Sequence, residues 1–200
     1  MNLRLSDNEA LLDLSRRATS FLTAHPPGLS RLPSFLFGKP ETPQLWMDYE
    51  DVLLASLAAG NDKSSLESLN RITSRFGSTN DRVIGLQGLC DEALTESDEA
   101  LENVLEGYET VLKDNPVNVP VLKRRIALLR AMDRPAEAVS ALVEFLDAFP
   151  TDADAWSELS CLYQSQGLYS QAIFCLEESL LISPNAWNVW WTPLFNLYHG

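Results

Sequence analysis

Apolar positions recur at helical spacing along much of the chain, in segments that each end at a proline. The clearest segments are VLEGYETVLKDNP, AVSALVEFLDAFP and AIFCLEESLLISP, which end at Pro116, Pro150 and Pro184. Both intervals between these prolines are 34 residues. A fixed period of this length indicates one structural unit that is repeated along the chain. Because the apolar residues follow a helical rather than an alternating spacing, each unit is predicted to consist of helices.

Residues at matching places in the period also agree in type. With Pro184 at position 32, Trp156, Leu159 and Tyr163 fall at positions 4, 7 and 11, and Ala172 falls at position 20. This order of large and small residues resembles the tetratricopeptide repeat (TPR) family. The resemblance predicts an all-α fold, a TPR solenoid of antiparallel helix pairs wound into a right-handed superhelix. The predicted packing anchors are Leu122, Leu129, Ala138, Pro150, Trp156, Leu159, Tyr163, Ala172, Pro184 and Trp190.

Composition shifts divide the chain before the repeats begin. Ser6 and Glu9 predict the start of an N-terminal helix, and five prolines and two glycines then predict a connector whose Leu32, Phe35, Leu36 and Phe37 pack back onto the array. The predicted division is an N-terminal helix at 1–24, a Pro-rich connector at 25–43, and a TPR array at 44–200. Within the array we expect a degenerate repeat at 44–78, a repeat at 79–117 with about four extra residues in its turn near 95–98, repeats at 119–152 and 153–186, and an incomplete repeat at 187–200.

Local signals mark the ends of the predicted helices. Gly60 and Gly167 stand where a helix must stop and turn, and Pro135 suits the first turn of a second helix. Thr151, followed by Asp154, is predicted to cap one first helix, and Asn118 stands at the corresponding place in the preceding repeat.

The charge balance excludes some classes of partner. A net charge of −13 argues against a nucleic-acid binder and against direct adhesion to an anionic membrane. No apolar run approaches the roughly 20 residues that a membrane-spanning helix needs, and the first twenty residues lack the apolar core of a signal peptide. Three cysteines without a CxxC spacing fit a reducing compartment. We therefore expect no nucleic-acid partner and a membrane association that occurs through partners only.

Residue types that carry catalysis are sparse. The two histidines are His25, in the connector, and His199, next to the last residue, and no nucleophile, phosphate-binding or metalloprotease motif is present. Cys161 and Cys175 have no histidine near them in sequence and are predicted to be buried, inert thiols. No Cys/His cluster has the spacing of metal ligands. The sequence therefore predicts no enzyme, no cofactor and no metal site.

Two charged runs remain as candidate binding surfaces. The acidic run from Asp91 to Glu109 is either a docking surface for a basic partner or a solvated helix pair. In the basic run KRRIALLRAMDR, Lys123 and Arg130 are seven residues apart and share one helix face. The TPR resemblance places first helices along a concave groove, which implies a partner-binding groove lined by Lys123, Arg124, Arg130, Ser157 and Gln164. These cations either bind a carboxylate or an acidic segment, or neutralise the Asp91–Glu109 helices. Arg125 is expected to pair with an acidic side chain of an adjacent repeat.

The C-terminal residues are rich in aromatic side chains. Trp187, Trp190 and Trp191 lie close together, and no second helix follows to cover the apolar end that they predict. Solenoids need capped ends, so either the chain is a shortened form of a longer one or a partner covers this face. The shortened form is the favoured interpretation.

Three segments carry a more specific resemblance. They are LWMDYEDVLLASLAAGNDKSSL, NPVNVPVLKRRIALLRA and EAVSALVEFLDAFPTDADAWSELSCLYQSQGLYSQAIFCLEESLLISPN. Over roughly residues 44–187 the chain resembles the subunit 2 family of the endoplasmic reticulum membrane protein complex, in its fungal-type form. That family usually continues for further helices after the place where this chain ends. The resemblance implies a non-catalytic scaffold, peripheral on the cytosolic face of the endoplasmic reticulum membrane. Its partners are the other subunits of a complex that inserts tail-anchored and multipass membrane proteins.

A competing hypothesis is a TPR co-chaperone adaptor that binds a peptide C-terminus in its concave groove. Among the positions that such adaptors use, Lys123 fits, whereas Ala127 and Glu158 do not, and the next unit offers only Asn188 and Thr192. The negative charge of Glu158 is expected to repel a terminal carboxylate.

Overall fold

The computed structural model describes residues 8–25 and 42–186, and the regular elements within these ranges are all helical. Their order agrees with the predicted all-α class. The helices are α1 Asn8–Ala24, α2 Pro43–Ala58, α3 Asp62–Phe76, α4 Asp81–Ala93, α5 Asp98–Asp114, α6 Val119–Ala131, α7 Pro135–Ala148, α8 Ala153–Ser165 and α9 Tyr169–Ile182, followed by a short 3₁₀ turn at Pro184–Ala186.

Short connectors within the helix pairs place one residue in the left-handed backbone region. The middle residues of the α2–α3, α6–α7 and α8–α9 connectors are Gly60, Asp133 and Gly167, with φ of 68°, 54° and 74°. Glycine adopts this conformation without a Cβ clash, which is why two of the three turns use it. The turns predicted at Gly60 and Gly167 are confirmed, and Pro135 lies in the first turn of α7 as predicted.

The α4–α5 pair carries its additional residues in a different place from the one predicted. We expected them in the turn near 95–98, but that connector comprises only residues 94–97, one more than the three-residue connectors of the other pairs. Most of the additional length is in α5, which has 17 residues, whereas α7 and α9 have 14 each. Ser97 accepts a hydrogen bond from the N–H of Ala100 and caps α5. The helix therefore begins at Asp98, and the connector stays short.

The first helices of the pairs begin at side-chain caps. The α8 cap is Asp152, whose carboxylate accepts the N–H of Ala155 at 3.0 Å, and the cap predicted at Thr151 is therefore wrong by one residue. Asn118 does cap α6, because its side-chain oxygen accepts the N–H of Val121 at 3.1 Å. Each cap satisfies a backbone donor that has no partner within its helix.

The chain divides into two compact units, residues 1–121 and 122–200. The core of the first unit is formed by apolar side chains of α1 to α4, and α5 closes on α4 through Tyr108, which is 4 % exposed. Two glycines permit close packing here, because a Cβ at Gly85 would lie 2.7 Å from Cβ of Pro120 and one at Gly88 would lie 2.7 Å from Cζ of Tyr108. The central core residues of this unit are Leu22, Tyr49, Leu53, Leu69, Ile72, Val83, Leu86 and Cys90.

The second unit has its own apolar core, contributed by α6 to α9. Ala138 and Ala172 are completely buried, so that the second helices α7 and α9 pack closely on their partners. The buried residues in this unit include Ile126, Leu128, Leu129, Leu142, Phe145, Leu159, Cys175 and Leu176.

Several predictions concern residues outside the described ranges. These are the structure of most of the Pro-rich connector, the packing of Leu32, Phe35, Leu36 and Phe37, the anchor role of Trp190, and the incomplete repeat at 187–200.

Candidate protein-binding surfaces

Lys123 is held in place by two residues of the second unit. Its ammonium group lies 2.5 Å from a carboxylate oxygen of Asp152, at the start of α8, and 5.5 Å from the centre of the Phe145 ring. A cation above an aromatic face is stabilised by the quadrupole of the neutral ring, whose face has a negative electrostatic potential. In this fold the positive charge of Lys123 is therefore directed to an internal carboxylate.

Asp152 combines this ion pair with its role as helix cap. Partial burial by itself raises the pKa of Asp152, but the hydrogen bonds from Lys123 and from the Ala155 N–H lower it, and the net direction is downward. The carboxylate is therefore ionised at neutral pH. It accepts the N–H of Ala155, at the start of α8, and pairs with the ammonium group of Lys123 in α6 at the same time.

Arg130 makes the second ion pair between the same two helices. Its guanidinium donates a hydrogen bond to Glu158 of α8, and both side chains are partly exposed. The carboxylates paired with Lys123 and Arg130 within the second unit thus belong to α8 and its cap. Arg124 and Arg125 are half-buried. The pKa of Glu137 is lowered mainly by its hydrogen bond from Arg134, with a smaller effect of Arg125.

The remaining predicted groove residues lie on one face of α8. Ser157 and Gln164 are seven residues apart; Ser157 is half-buried and Gln164 is exposed. Cys161 shares this side of the helix and is exposed, which corrects the prediction that it is buried. Cys175 is buried as predicted, and burial raises the pKa of its thiol to about 11, as it does for Cys90.

A second surface of the same unit is an apolar cavity that the sequence did not reveal. It has a volume of about 620 Å³, with walls from α7 and α9 and a floor from α8. Trp156, Leu159 and Tyr163 form the floor, because they recur at i, i+3 and i+7 on a face of α8 different from that of Ser157 and Gln164. The full lining is Val143, Leu146, Asp147, Pro150, Trp156, Leu159, Tyr163, Ser170, Gln171, Phe174 and Cys175.

Contacts within this cavity fix its aromatic residues. The indole N–H of Trp156 donates to the carbonyl oxygen of Pro150 at 2.9 Å, and its ring meets Phe174 edge-on at 6.0 Å between ring centres. Partial burial raises the pKa of Tyr163, with a smaller contribution from Cys175. The sequence predicted Trp156 and Tyr163 only as packing anchors. The signal that could have revealed the cavity is the pair of apolar residues, Val143 and Phe174, at solvent-facing positions of α7 and α9.

The predicted anchors differ in how deeply they are placed. Leu129, Ala138, Leu159 and Ala172 are buried, whereas Leu122, Trp156 and Tyr163 are half-buried. Pro150 and Pro184 are exposed at the ends of α7 and α9.

The acidic run from Asp91 to Glu109 lies on α4, α5 and their connector. Six of its carboxylates are exposed, whereas Glu92 and Glu109 are half-buried. Glu92 accepts a hydrogen bond from the hydroxyl of Tyr108, so one member of the run has a role inside the helix pair. The exposed members are Asp91, Glu96, Asp98, Glu99, Glu102 and Glu106.

Two other kinds of site have no candidate within residues 8–25 and 42–186. No group of three or more His, Cys, Asp or Glu side chains there is arranged to hold a metal ion. No helix in those ranges combines the length and the apolar character required to cross a membrane.

Comparison with known sequences places the repeats in a family. The family model described as the EMC2 TPR-like repeat domain matches residues 80–197. The ER membrane protein complex subunit 2 of Xenopus tropicalis is 38% identical over 141 residues, which are 70% of this chain and 46% of that protein. The TPR repeat protein oca3 of Schizosaccharomyces pombe is 34% identical over 141 residues, 70% of this chain and 48% of that protein. The chain spans about half the length of these curated relatives.

Solved structures agree on the fold. A thermophilic TPR protein of Thermus thermophilus superposes with a TM-score of 0.58 at 16% identity, covering 96% of this chain and 100% of that one. MamA of Desulfovibrio magneticus RS-1 gives a TM-score of 0.52 at 18% identity, covering 76% and 82%. At such identities the likeness concerns the fold alone, and it confirms the predicted TPR helix pairs. The family model matches residues 80–197, which are more than half of this chain. The chain therefore belongs to the EMC2 TPR-like repeat family.

Proposed function

We propose that the chain is a non-catalytic scaffold subunit of the endoplasmic reticulum membrane protein complex. It binds other subunits of that complex on the cytosolic face of the membrane and thereby supports the insertion of tail-anchored and multipass membrane proteins. The observation that carries the proposal is the family match over residues 80–197, which contains all helices from α4 to α9. The complex is taken from the names of the relatives in Xenopus and other organisms, which are called subunit 2 of the ER membrane protein complex.

The ion pairs of the second unit support a scaffold role. Lys123 with Asp152 and Arg130 with Glu158 join two successive first helices, α6 and α8. A scaffold needs fixed spacing between its repeats, because a partner that contacts several repeats loses affinity when they move independently. The same pairs count against the co-chaperone alternative, since the ammonium group that a terminal carboxylate would need is already bound to Asp152.

Affinity purification from detergent-solubilised microsomes tests the assignment. A tagged form of the chain should recover the membrane-embedded subunits of the complex in comparable amounts. Washing the microsomes with alkaline carbonate before solubilisation should release the chain and leave those subunits in the membrane. Recovery of soluble chaperones without any membrane subunit would refute the proposal and favour the adaptor.

A charge exchange separates structural from partner-binding roles of Arg130. Arg130→Glu places two carboxylates together and should lower both stability and recovery of the complex. The double variant Arg130→Glu with Glu158→Arg restores an ion pair of opposite direction. If Arg130 acts within the fold, the double variant recovers the complex as the parent chain does; if it contacts another subunit, stability returns and recovery does not.

A further inference from the structure

The cavity between α7 and α9 is an open groove with apolar walls. Val143 on α7 is 40% exposed, and Phe174 on α9 is 54% exposed. Trp156 and Tyr163 on the floor are only half-buried, although they are the largest side chains of α8. Apolar side chains that remain accessible around a concavity of about 620 Å³ have the size and character of a binding site.

The shape of the groove suits a helix. Its floor runs along α8 from Trp156 to Tyr163, a separation of two helical turns or roughly 10 Å at 1.5 Å per residue. Two helices, α7 and α9, form the walls. Grooves bounded by helices typically accept an amphipathic helix that inserts apolar side chains at i, i+3 or i+4, and i+7. A partner helix of two to three turns therefore matches the floor.

The charge around the groove selects the polar face of that helix. Residues 135–200 contain no Lys or Arg, so the charged side chains of α7, α8 and α9 are all negative. Three carboxylates in this part of the chain, Glu137, Asp152 and Glu158, already pair with Arg134, Lys123 and Arg130. This part of the chain also contains Glu144, Asp147, Asp154, Glu177 and Glu178, and of these Asp147 lines the groove.

We propose that this groove binds a short amphipathic helix of a partner protein, with an apolar stripe flanked by Lys or Arg. Phe174 and Val143 pack against the apolar stripe, and Asp147 pairs with a flanking cation. The inference goes beyond the scaffold role, because it concerns one groove and one chemical class of segment, whichever complex the chain joins.

Two other occupants fit the charge less well. A second copy of the chain would bring together two surfaces that each carry the excess negative charge of a −13 protein. The chain's own residues 187–200 are apolar but contain no Lys or Arg to pair with Asp147. A basic partner segment satisfies both the apolar and the electrostatic requirement.

Selection from a displayed library of random 14-residue peptides tests the proposal with the full chain as bait. Selected peptides should be enriched in Lys and Arg and should show apolar residues at helical spacing. Phe174→Glu should weaken binding of the best synthetic peptide at least about tenfold, as expected for a central aromatic contact. Leu181→Glu is the matched control: it lies on the same helix, is 74% exposed and does not line the groove, and it should leave the affinity unchanged.

A second pair of variants tests the charge. Asp147→Lys should lower the affinity for the same peptide about three- to tenfold at low salt. Asp114 is an exposed acid of the first unit, and Asp114→Lys should leave the affinity unchanged. Circular dichroism checks the fold of each variant, and Val143→Glu on the opposite wall replaces Phe174→Glu should the latter unfold. No enrichment, enrichment of acidic or neutral peptides, or equal binding to the Phe174 and Leu181 variants would overturn the proposal.

The alternative occupants give distinct results. A dimer in light scattering that becomes monomeric with Phe174→Glu would assign the groove to a second copy of the chain. Peptide binding that begins only after residues 187–200 are removed would assign it to the chain's own end. Either result contradicts the proposal of a partner helix.

Discussion

Glycine at position 88 sets how closely α4 and α5 approach each other. A Cβ there would overlap the ring of Tyr108, which is buried and donates its hydroxyl hydrogen bond to Glu92. Because the ring is fixed at both its apolar and its polar end, it cannot move aside without losing one contact. The glycine is therefore a requirement of packing, although its backbone lies within a regular helix.

Gly88→Ala should lower the free energy of unfolding by about 1–3 kcal/mol through overpacking against Tyr108. Gly107→Ala is a matched control, because this glycine is also helical but a Cβ there meets nothing within 4 Å. Alanine at 107 should raise the free energy of unfolding by about 0.5–1 kcal/mol through helix propensity. Urea titration followed by circular dichroism measures both, and equal effects of the two variants would show that no overlap exists at position 88.

The three thiols should differ in reactivity. Cys161 is exposed, whereas Cys90 and Cys175 are buried and their pKa values are raised to about 11. Since the thiolate is the reactive form, a disulfide reagent at pH 8 should modify one thiol per native chain rapidly and the other two only on unfolding. Cys161→Ser should abolish the rapid phase. Rapid modification of two or three thiols would contradict the burial of Cys90 in α4 and of Cys175 in α9.

At the scale of elements, the start of α8 depends on a single carboxylate with two partners. Asp152 caps the helix and pairs with Lys123 of α6. The folded-state pKa of Asp152 lies below its ordinary value of 3.8. Its contribution to stability is therefore fully present above 3.8 and is lost as the pH falls through the lower, folded-state pKa.

Asp152→Asn should keep the cap and lose the ion pair, at a cost of about 0.2–1 kcal/mol at pH 7. Asp152→Ala loses both and should cost about 1 kcal/mol more. The difference in unfolding free energy between the parent chain and Asp152→Asn should shrink as the pH falls below 3.8, because protonation removes the charge from the parent. Urea titrations at pH 7, 5, 4 and 3 measure this, and a difference independent of pH would contradict the ion pair.

Besides the apolar contacts of residues such as Leu22, one arginine of α3 binds the C-terminal end of α1. Arg71 donates to the carbonyl oxygens of Leu22, at 2.8 Å, and of His25, and to the hydroxyl of Tyr49 at 3.0 Å. It also pairs with Glu67, and its side chain is only 10% exposed. The guanidinium thus satisfies carbonyl groups at the C-terminal end of α1, which have no partner within the helix.

Arg71→Ala should release α1 while leaving the helices of the second unit unchanged. Loss of a buried, charge-assisted hydrogen-bond donor costs about 2–5 kcal/mol, so amide hydrogen exchange in α1 should accelerate more than tenfold. Arg16→Ala, which removes an exposed arginine of α1 itself, is the control and should leave the exchange unchanged. Equal protection of α1 in both variants would show that apolar packing alone holds this helix.

Sequence patterns predicted these elements better than the contacts between them. Gly60, Gly167 and Pro135 identified turns and a helix start because each acts on its own backbone. The predicted cap of α8 was wrong by one residue, because Thr151, Asp152 and Asp154 are all suitable capping residues and only the geometry distinguishes them. The apolar groove was missed because α7, α8 and α9 each contribute residues to it, and because Trp156 and Tyr163 stand at positions where the general TPR pattern already has a Trp and a Tyr.

At the scale of the whole molecule, charge is far from balanced. The chain has 28 acidic and 15 Lys or Arg residues, and like charges repel more in the folded than in the unfolded state. Salt screens this repulsion over distances near 10 Å at 0.1 M. Added salt should therefore stabilise the fold, unless the ion pairs at Asp152 and Glu158 outweigh the general repulsion.

Raising NaCl from 50 to 500 mM at pH 7 should increase the melting temperature by a few degrees, since about 1 kcal/mol corresponds to about 2–4 °C for a chain of this size. The same titration at pH 5, near the isoelectric point of about 4.5, is the control and should show a smaller increase. Differential scanning calorimetry measures both. A melting temperature that falls with salt at pH 7 would show that specific ion pairs dominate.

The absence of Lys and Arg after Arg134 also determines how the chain responds to proteases. Trypsin cleaves after these residues, and because Pro135 blocks cleavage after Arg134, there is no tryptic site between residues 131 and 200. Trypsin therefore leaves residues 131–200 uncut, whether α7, α8 and α9 are folded or not. A protease that cleaves after Glu, in contrast, has target bonds in all three helices, and its cutting rate there reports on the local unfolding of the helices that form the groove.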